Sequence, residues 1–312
     1  MVETVVEVGL PINEKLMIKK NRIEPEKLRD DMKRFCIVTG IHGDELEGQY
    51  VCYELNKRLS EHRELLDGIV EIYPSLNPLG VNTVSRGIPM FDLDMNRIFD
   101  RSDSGAMAEH VASKVAEDIA GADMCLDIHA SNIFLREIPQ VRIHEEMAEG
   151  LLPYARLLNI DYVWVGRCTA VDAASLSYSL NSIGVKTIVV EMGVGMRITK
   201  DYCEQLITGI FRLMHELGIW KGECPEVRKP IISSDGEISV LNANTHGIFI
   251  PCVEHWKGIK KGALLGRILD PLTGKVCEEI VSPADGMVVT LREYPVVMTG
   301  SLLGRVLGGD HR

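Results

Sequence analysis

The feature that most constrains this chain is an alternation of short apolar runs with stretches of helical periodicity. Phe35-Cys-Ile-Val-Thr runs straight into Gly40, Ile69-Val-Glu-Ile-Tyr stops at Pro74, and Met124-Cys-Leu-Asp-Ile stops at His129. Runs over 161–165 and 185–190 repeat the pattern. Between them the spacing predicts helices over about 44–59, 145–158, 172–183 and 202–217. Met107, Val111, Val115 and Ile119 recur at helical spacing behind a Ser104 cap. Unbroken apolar strands are buried on both faces, and alternating them with helices gives an α/β sandwich dominated by parallel β-α units. Residues 3–10 and 15–20 read instead as a hairpin around Pro11-Ile-Asn.

The texture changes at Gly222-Glu-Cys-Pro and Lys229-Pro230, where prolines separate the last helix from a glycine-punctuated tail of short strands. The boundary is placed there, with an α/β domain over 1–228 and a smaller all-β accessory domain over 229–312. The stretch from Gly247 through Gly258-Ile-Lys-Lys-Gly to Ser282-Pro-Ala-Asp-Gly286 resembles a barrel-sandwich hybrid of the biotinyl or lipoyl type. It lacks the lysine attachment hairpin, so no carried prosthetic group is expected, and Lys260 and Lys261 read as turn residues.

Charge and composition exclude other classes. With 34 basic against 45 acidic residues the net charge is −11, and the basic residues are scattered, which opposes a nucleic-acid partner. No apolar run approaches the roughly 20 residues of a membrane span. The first residues lack a basic segment before an apolar core, so no signal peptide is expected and the location is read as cytoplasmic. The eight cysteines form no Cys-x-x-Cys pair, which fits neither a disulfide framework nor a thiolate metal site.

The strongest chemical signal is Gly40-Ile-His42-Gly-Asp-Glu45, where a strand gives way to a helix. An imidazole and a carboxylate three residues apart can reach one ion. Asp127-Ile-His129, at the end of another strand, offers a third ligand in His129, and Asp127 could orient an imidazole from behind. His42, Glu45 and His129 plus a water form a hydrolytic zinc set, one ion per chain. Arg86, Asn96 and Arg97 form a clamp for an anionic substrate, because a planar guanidinium matches a carboxylate bidentately; alternatively, Arg97 pairs with Asp92 or Asp94. Glu191, delivered by Ile188-Val-Val, is a costly charge to leave idle at a buried strand end. It suits a general base beside a metal-bound water, or else caps the next turn or pairs with Arg197. His62, His110, His144, His215, His246, His255 and His311 lack partners at ligand spacing and read as structural or surface residues. Leu135 to Arg142 reads as a solvated Arg/Glu loop that could line the pocket.

In this order, His42-x-x-Glu45, Asn77-Pro78, Arg86, Asp94-x-Asn96-Arg97, Asp127-x-His129 and Glu191 resemble the succinylglutamate desuccinylase/aspartoacylase family, relatives of the zinc carboxypeptidases. The resemblance implies a carboxypeptidase-like mixed sheet flanked by helices, with a β-rich C-terminal domain packed over the cleft. It makes His42, Glu45 and His129 the zinc ligands, Arg86, Asn96 and Arg97 the binders of substrate carboxylate and oxyanion, and Glu191 the catalytic carboxylate. One departure is Met95 where the family usually carries Leu.

The expected activity is zinc-dependent hydrolysis of the linear amide of a small, anionic N-acyl amino acid. Arg86 would stabilise the oxyanion, and Tyr294 is a further candidate for reaching the substrate. A homo-oligomer is compatible with this reading. A zinc carboxypeptidase acting on small peptides is the second reading. A non-catalytic metal- or metabolite-binding module is the third.

Overall fold

The computed structural model describes residues 1–100 and 105–308 and has a mixed α/β architecture. Strands β1 (Val2–Gly9) and β2 (Lys15–Ile23) form the expected antiparallel hairpin across a 3-10 turn at Pro11–Asn13. There follow β3 (Arg34–Thr39), α1 (Glu47–Glu61), β4 (Ile69–Tyr73), α2 (Pro78–Thr83), α3 (Met107–Ile119) and β5 (Met124–Ala130). Next come β6 (Leu135–His144), α4 (Ala148–Ala155), β7 (Tyr162–Gly166), α5 (Leu176–Ser182), β8 (Lys186–Gly193) and α6 (Lys200–Glu216). Ser104 and His311 lie outside the described residues. Ala106, which makes no side-chain cap, occupies the N-cap position of α3.

Sequence alternation builds three layers. On β3, Phe35 and Ile37 point into a core shared with Val51, Leu55 and Leu59 of α1 and Leu206, Ile210 and Leu213 of α6. Cys36 and Val38 point to the opposite core, shared with Val111, Val115 and Ile119 of α3 and Leu176 and Leu180 of α5. Successive strand residues face opposite sides, so a strand between two helical layers must be apolar throughout. Each fully buried leucine in these layers contributes roughly 1.5–3 kcal/mol.

The central strands run β4-β3-β5-β8, all parallel. Their C-terminal ends deliver Gly40, His129 and Glu191 to one edge, where open α/β sheets place ligands. β6 corrects the loop expected there: it is a ten-residue strand, antiparallel to β8 and parallel to β7. Its charged residues and Pro139 mask the apolar pattern, and its register against β8 contains a bulge between Glu137 and Gln140.

The C-terminal part comprises β9 (Ile231–Ser234), β10 (Ile238–Asn242), β11 (Gly247–Pro251), β12 (Gly258–Ile259) and β13 (Leu264–Asp270). It continues with β14 (Lys275–Val281), β15 (Gly286–Arg292), β16 (Val296–Val297) and β17 (Leu302–Gly308). An antiparallel sheet, β14-β13-β11-β16, packs Phe249, Leu265 and Ile268 against Val288, Leu303 and Val306. β15, β17 and β10 extend the large sheet outward from β6, through the pairing of Thr290–Arg292 with Glu137–Leu135. No described helix is long and apolar enough to cross a membrane.

Candidate active site

Two glycines shape the turn that carries the first two expected ligands. Gly40 has a φ of +66°, which favours glycine. A Cβ on Gly43 would stand 1.9 Å from the Gly80 carbonyl carbon, so only glycine permits this approach of the turn to α2. α1 therefore begins at Glu47 rather than near 44, and His42 and Glu45 are free to face the sheet edge. Asn77 caps α2 by accepting from Gly80 N at 2.9 Å, and its amide donates to the Gly87 carbonyl at 3.0 Å, fixing the loop that carries Arg86.

The three expected ligands converge. His42 Nδ1 lies 2.7 Å from Glu45 Oε1, His129 Nδ1 lies 2.9 Å from Glu45 Oε2, and the two Nδ1 atoms are 3.2 Å apart. Together they form a buried group that could hold a metal ion. With one donor atom from each residue, the three lie within 4.8 Å of one another, which accommodates the roughly 3.4 Å separations of ligand atoms at ~2.1 Å around a tetrahedral ion.

The atoms behind the triangle fit the same group. His42 Nε2 meets Asp94 Oδ1 at 3.1 Å, and His129 Nε2 lies 3.1 Å from Asp127 Oδ1. The latter pair is not aligned for a hydrogen bond, which leaves both Asp127 oxygens and His129 Nε2 buried without a hydrogen-bond partner. A carboxylate behind each imidazole is the arrangement that orients metal-ligating histidines. Ala130 N donates to Glu45 Oε2 at 3.1 Å and fixes the carboxylate in turn.

The electrostatics of the cluster are strongly coupled. Burial alone would raise the Glu45 pKa, but His42 and His129 outweigh it and hold it down to about 2. Burial opposes the charged form of both histidines, yet Glu45 and Asp94 raise His42, and Asp127 and Glu45 raise His129. Burial raises Glu191 above the usual carboxylate range, with Arg142 and His129 acting in the opposite direction.

A cleft of about 290 Å³ joins these groups to the clamp. It is lined by His42 and His129, by Arg86, Asn96 and Arg97, and by Glu191, whose position on β8 pairs with His129 on β5. Arg86 donates to Glu45 Oε1 at 3.2 Å and to Asp94 Oδ2 at 3.1 Å. Asp94 thus pairs with His42 and Arg86 rather than with Arg97. Arg97 donates to the Asn96 carbonyl and has no carboxylate partner among the described residues. Asn96 Oδ1 accepts from Leu176 N, which ties the clamp to α5. Glu191 pairs with Arg142 at 3.5 Å, not with Arg197.

Tyr294 is not brought to the cleft. The chain turns between β15 and β16 there, and the ring, 47% exposed, packs edge-on against Phe134. His144, read from the sequence as peripheral, does line the cleft, as do Arg142, Trp164, Asp235 and Arg305. Nothing local in the sequence singles out Arg305, which reaches the site only through strand pairing.

Residues 31–217 match the family model of the succinylglutamate desuccinylase/aspartoacylase catalytic domain. The chain belongs to this family. Both activities in the family's name remove acyl groups, which places the protein among deacylating hydrolases. No curated protein sequence matches the chain. Among solved structures, it is similar to the product-bound ectoine utilization protein EutE (DoeB) from Ruegeria pomeroyi. That match has 19% identity and a TM-score of 0.83 over 97% of this chain and 93% of the other. A succinylglutamatedesuccinylase/aspartoacylase from Rhodobacter sphaeroides matches with 19% identity and a TM-score of 0.82, over 100% and 96%. A succinylglutamate desuccinylase from Silicibacter sp. TM1040 gives 18% and 0.83, over 98% and 95%. At these identities the likeness establishes the shared fold, which includes the C-terminal β-sheet domain.

Proposed function

We propose that the protein is a zinc-dependent amidohydrolase that releases a carboxylate and a free amine from a small N-acyl amino acid. In this reading residues 1–228 form the hydrolase domain and 229–312 the accessory domain. The observation that carries it is the His42–Glu45–His129 triangle, with a carboxylate behind each imidazole, opening on a cleft that also holds Glu191 and Arg97, which has no carboxylate partner among the described residues.

His42 Nδ1, Glu45 and His129 Nδ1 would hold the ion, with Asp94 and Asp127 fixing the imidazole rings. A bound zinc supplies a Lewis acid and lowers the pKa of its water toward ~7. Glu191 takes the proton of the attacking water on its carboxylate and hands it to the departing amine, and its raised pKa suits both halves of that transfer. Arg97 and Asn96 bind the substrate carboxylate, the planar guanidinium supplying donors that match it. Arg86, half-exposed between Glu45 and Asp94, turns part of its donor set toward the charge developing on the amide oxygen. A cleft of about 290 Å³ lies at the small end of ligand pockets and suits a substrate of a few carbons on each side of the amide.

The test is release of free amine from a panel of N-acetyl and N-succinyl amino acids and C-terminal dipeptides, with zinc-loaded and chelated protein side by side. Metal-dependent cleavage of an acyl-amino acid is the expected result. Cleavage of dipeptides alone would install the carboxypeptidase reading, and tight zinc binding without hydrolysis would reduce the protein to a binding module.

A further inference from the structure

The cleft contains a second pair of arginines, built unlike the clamp. Arg142 and Arg305 are each matched to a carboxylate. Glu137, only 2% exposed, accepts from Arg142 Nη2 at 2.7 Å through Oε2 and from Arg305 Nη1 at 2.7 Å through Oε1. Arg142 Nη1 stands 3.5 Å from Glu191 Oε1. The Trp164 ring lies against both guanidiniums, at 5.6 and 5.5 Å from its centroid, and its Nε1 donates to Asp235 at 2.5 Å. Glu191, Arg142, Glu137 and Arg305 therefore form an alternating row of two carboxylates and two cations, with zero formal charge, running from β8 across β6 to β17.

The backbone is shaped for this row. Between β6 and β8, Glu137 pairs with Gly193 and Gln140 with Glu191, so three steps on β6 match two on β8. Residues five apart on a regular strand face opposite sides; the extra residue in the bulge, beside Pro139, brings Glu137 and Arg142 to the same side. On the other flank Glu137 pairs with Thr290, and Thr290 pairs with Arg305. The row's charge is balanced internally, so it holds a neighbour in place rather than offering a free cation to a ligand.

We infer that Arg142 is a positioning residue for Glu191, braced through Glu137 by Arg305, so that the C-terminal domain takes part in the reaction by fixing the base. This rests on the reading of Glu191 as the proton acceptor. A fork held on its far side by a second salt bridge has fewer orientations, and so does the carboxylate it faces. Misplacing a reacting group by about 1 Å can cost on the order of a hundredfold in rate.

The test uses the full-length zinc-loaded protein and substitutions at the far end of the row. Arg305→Met is expected to lower kcat by about 10- to 100-fold with KM within about twofold. Zinc content and calorimetric binding of the product amino acid should match the parent, and Arg305→Lys should restore most of the rate. In a Glu191→Gln background, Arg142→Met should add less than about a twofold loss, because a residue acting only through Glu191 has nothing left to position. A raised KM at unchanged kcat would assign the pair to substrate binding and overturn the inference, as would fully additive losses. If Arg305→Met does not fold, the same cycle with Arg142→Lys decides. If the parent hydrolyses no acyl-amino acid, the proposed function fails by itself. A crystal structure of Arg305→Met or, where that variant does not fold, of Arg305→Gln then still reads the brace: an Arg142–Glu191 pair superimposable on the parent's would overturn it.

Discussion

Two buried glutamates, one on a strand and one in the turn after a neighbouring strand, carry opposite lessons. Glu71 on β4 is fully buried, and three cations close on it: Lys20 at 2.9 Å, Arg22 at 2.7 Å and Arg34 at 2.9 Å. Asp118 and Glu24 complete the balance, pairing with Lys20 and Arg22 at 2.8 and 2.6 Å. None of these side chains has a buried polar atom without a partner. Glu45, nearly as buried, faces two imidazoles instead, beside an open cleft and next to orphaned atoms on Asp127 and His129. In both clusters burial pushes the carboxylate pKa up and the cations win, so pKa direction does not separate them. Closure does: a satisfied ionic cluster is part of the scaffold, whereas one left open toward a cavity is built to receive something.

This contrast can be broken or sharpened by experiment. The largest effect is expected at the open cluster, where Glu191→Gln should lower kcat by on the order of 10²–10⁴-fold with zinc retained, as read by turnover and metal analysis. Near-normal turnover would remove Glu191 from the chemistry. At the closed cluster, Glu71→Gln should cost about 3–5 kcal/mol in denaturant unfolding, because it leaves buried cations uncompensated, while kcat of the folded fraction stays at the parent's value. A large kcat loss there would erase the distinction. Asp127→Asn should weaken zinc binding by about 10- to 100-fold in a competition titration, with little change in melting temperature of the metal-free protein.

The smallest effect is graded with pH. His42 and His129 hold their protons more tightly in the folded chain than free imidazoles do. Their contribution to metal-free stability is fully present below the unfolded value near ~6.5 and is lost as pH rises through the raised folded values. Zinc must displace those same protons, so its affinity runs the other way, increasing up to about tenfold per pH unit for each proton released. Metal-free melting temperature and zinc affinity should therefore change in opposite directions across neutral pH. Parallel trends would show that the histidines are not the ligands.

Much of this was legible from residue order because the proposed ligands sit where strands end. Gly40, His42, Asp127, His129 and Glu191 are local signals, each within a few residues of an apolar run. β6 was not legible: Arg136, Glu137, Pro139 and Arg142 interrupt its apolar residues, and the bulge spoils the period of two. Asp94 was visible as part of a polar cluster, but its partner His42 is 52 residues away. Arg305 and Glu137 are separated by 168 residues and meet only through two strand pairings. Tyr294 shows the converse: a domain packed over the cleft does not tell which way a given turn points, and here the ring lies against Phe134.

The pairing of β6 with β15 has a consequence during synthesis. Glu137 and its neighbour Thr290 are 153 residues apart, which at about 5–20 residues per second leaves one flank of β6 unpaired for on the order of 8–30 s as the chain emerges. Through that interval Leu135–Glu137 is an open strand edge of the kind that recruits other chains. Arg136, Glu137 and Pro139 are the residue types that discourage such recruitment. Glu137, which braces the cleft in the finished protein, thus also acts as a gatekeeper while it is still being made.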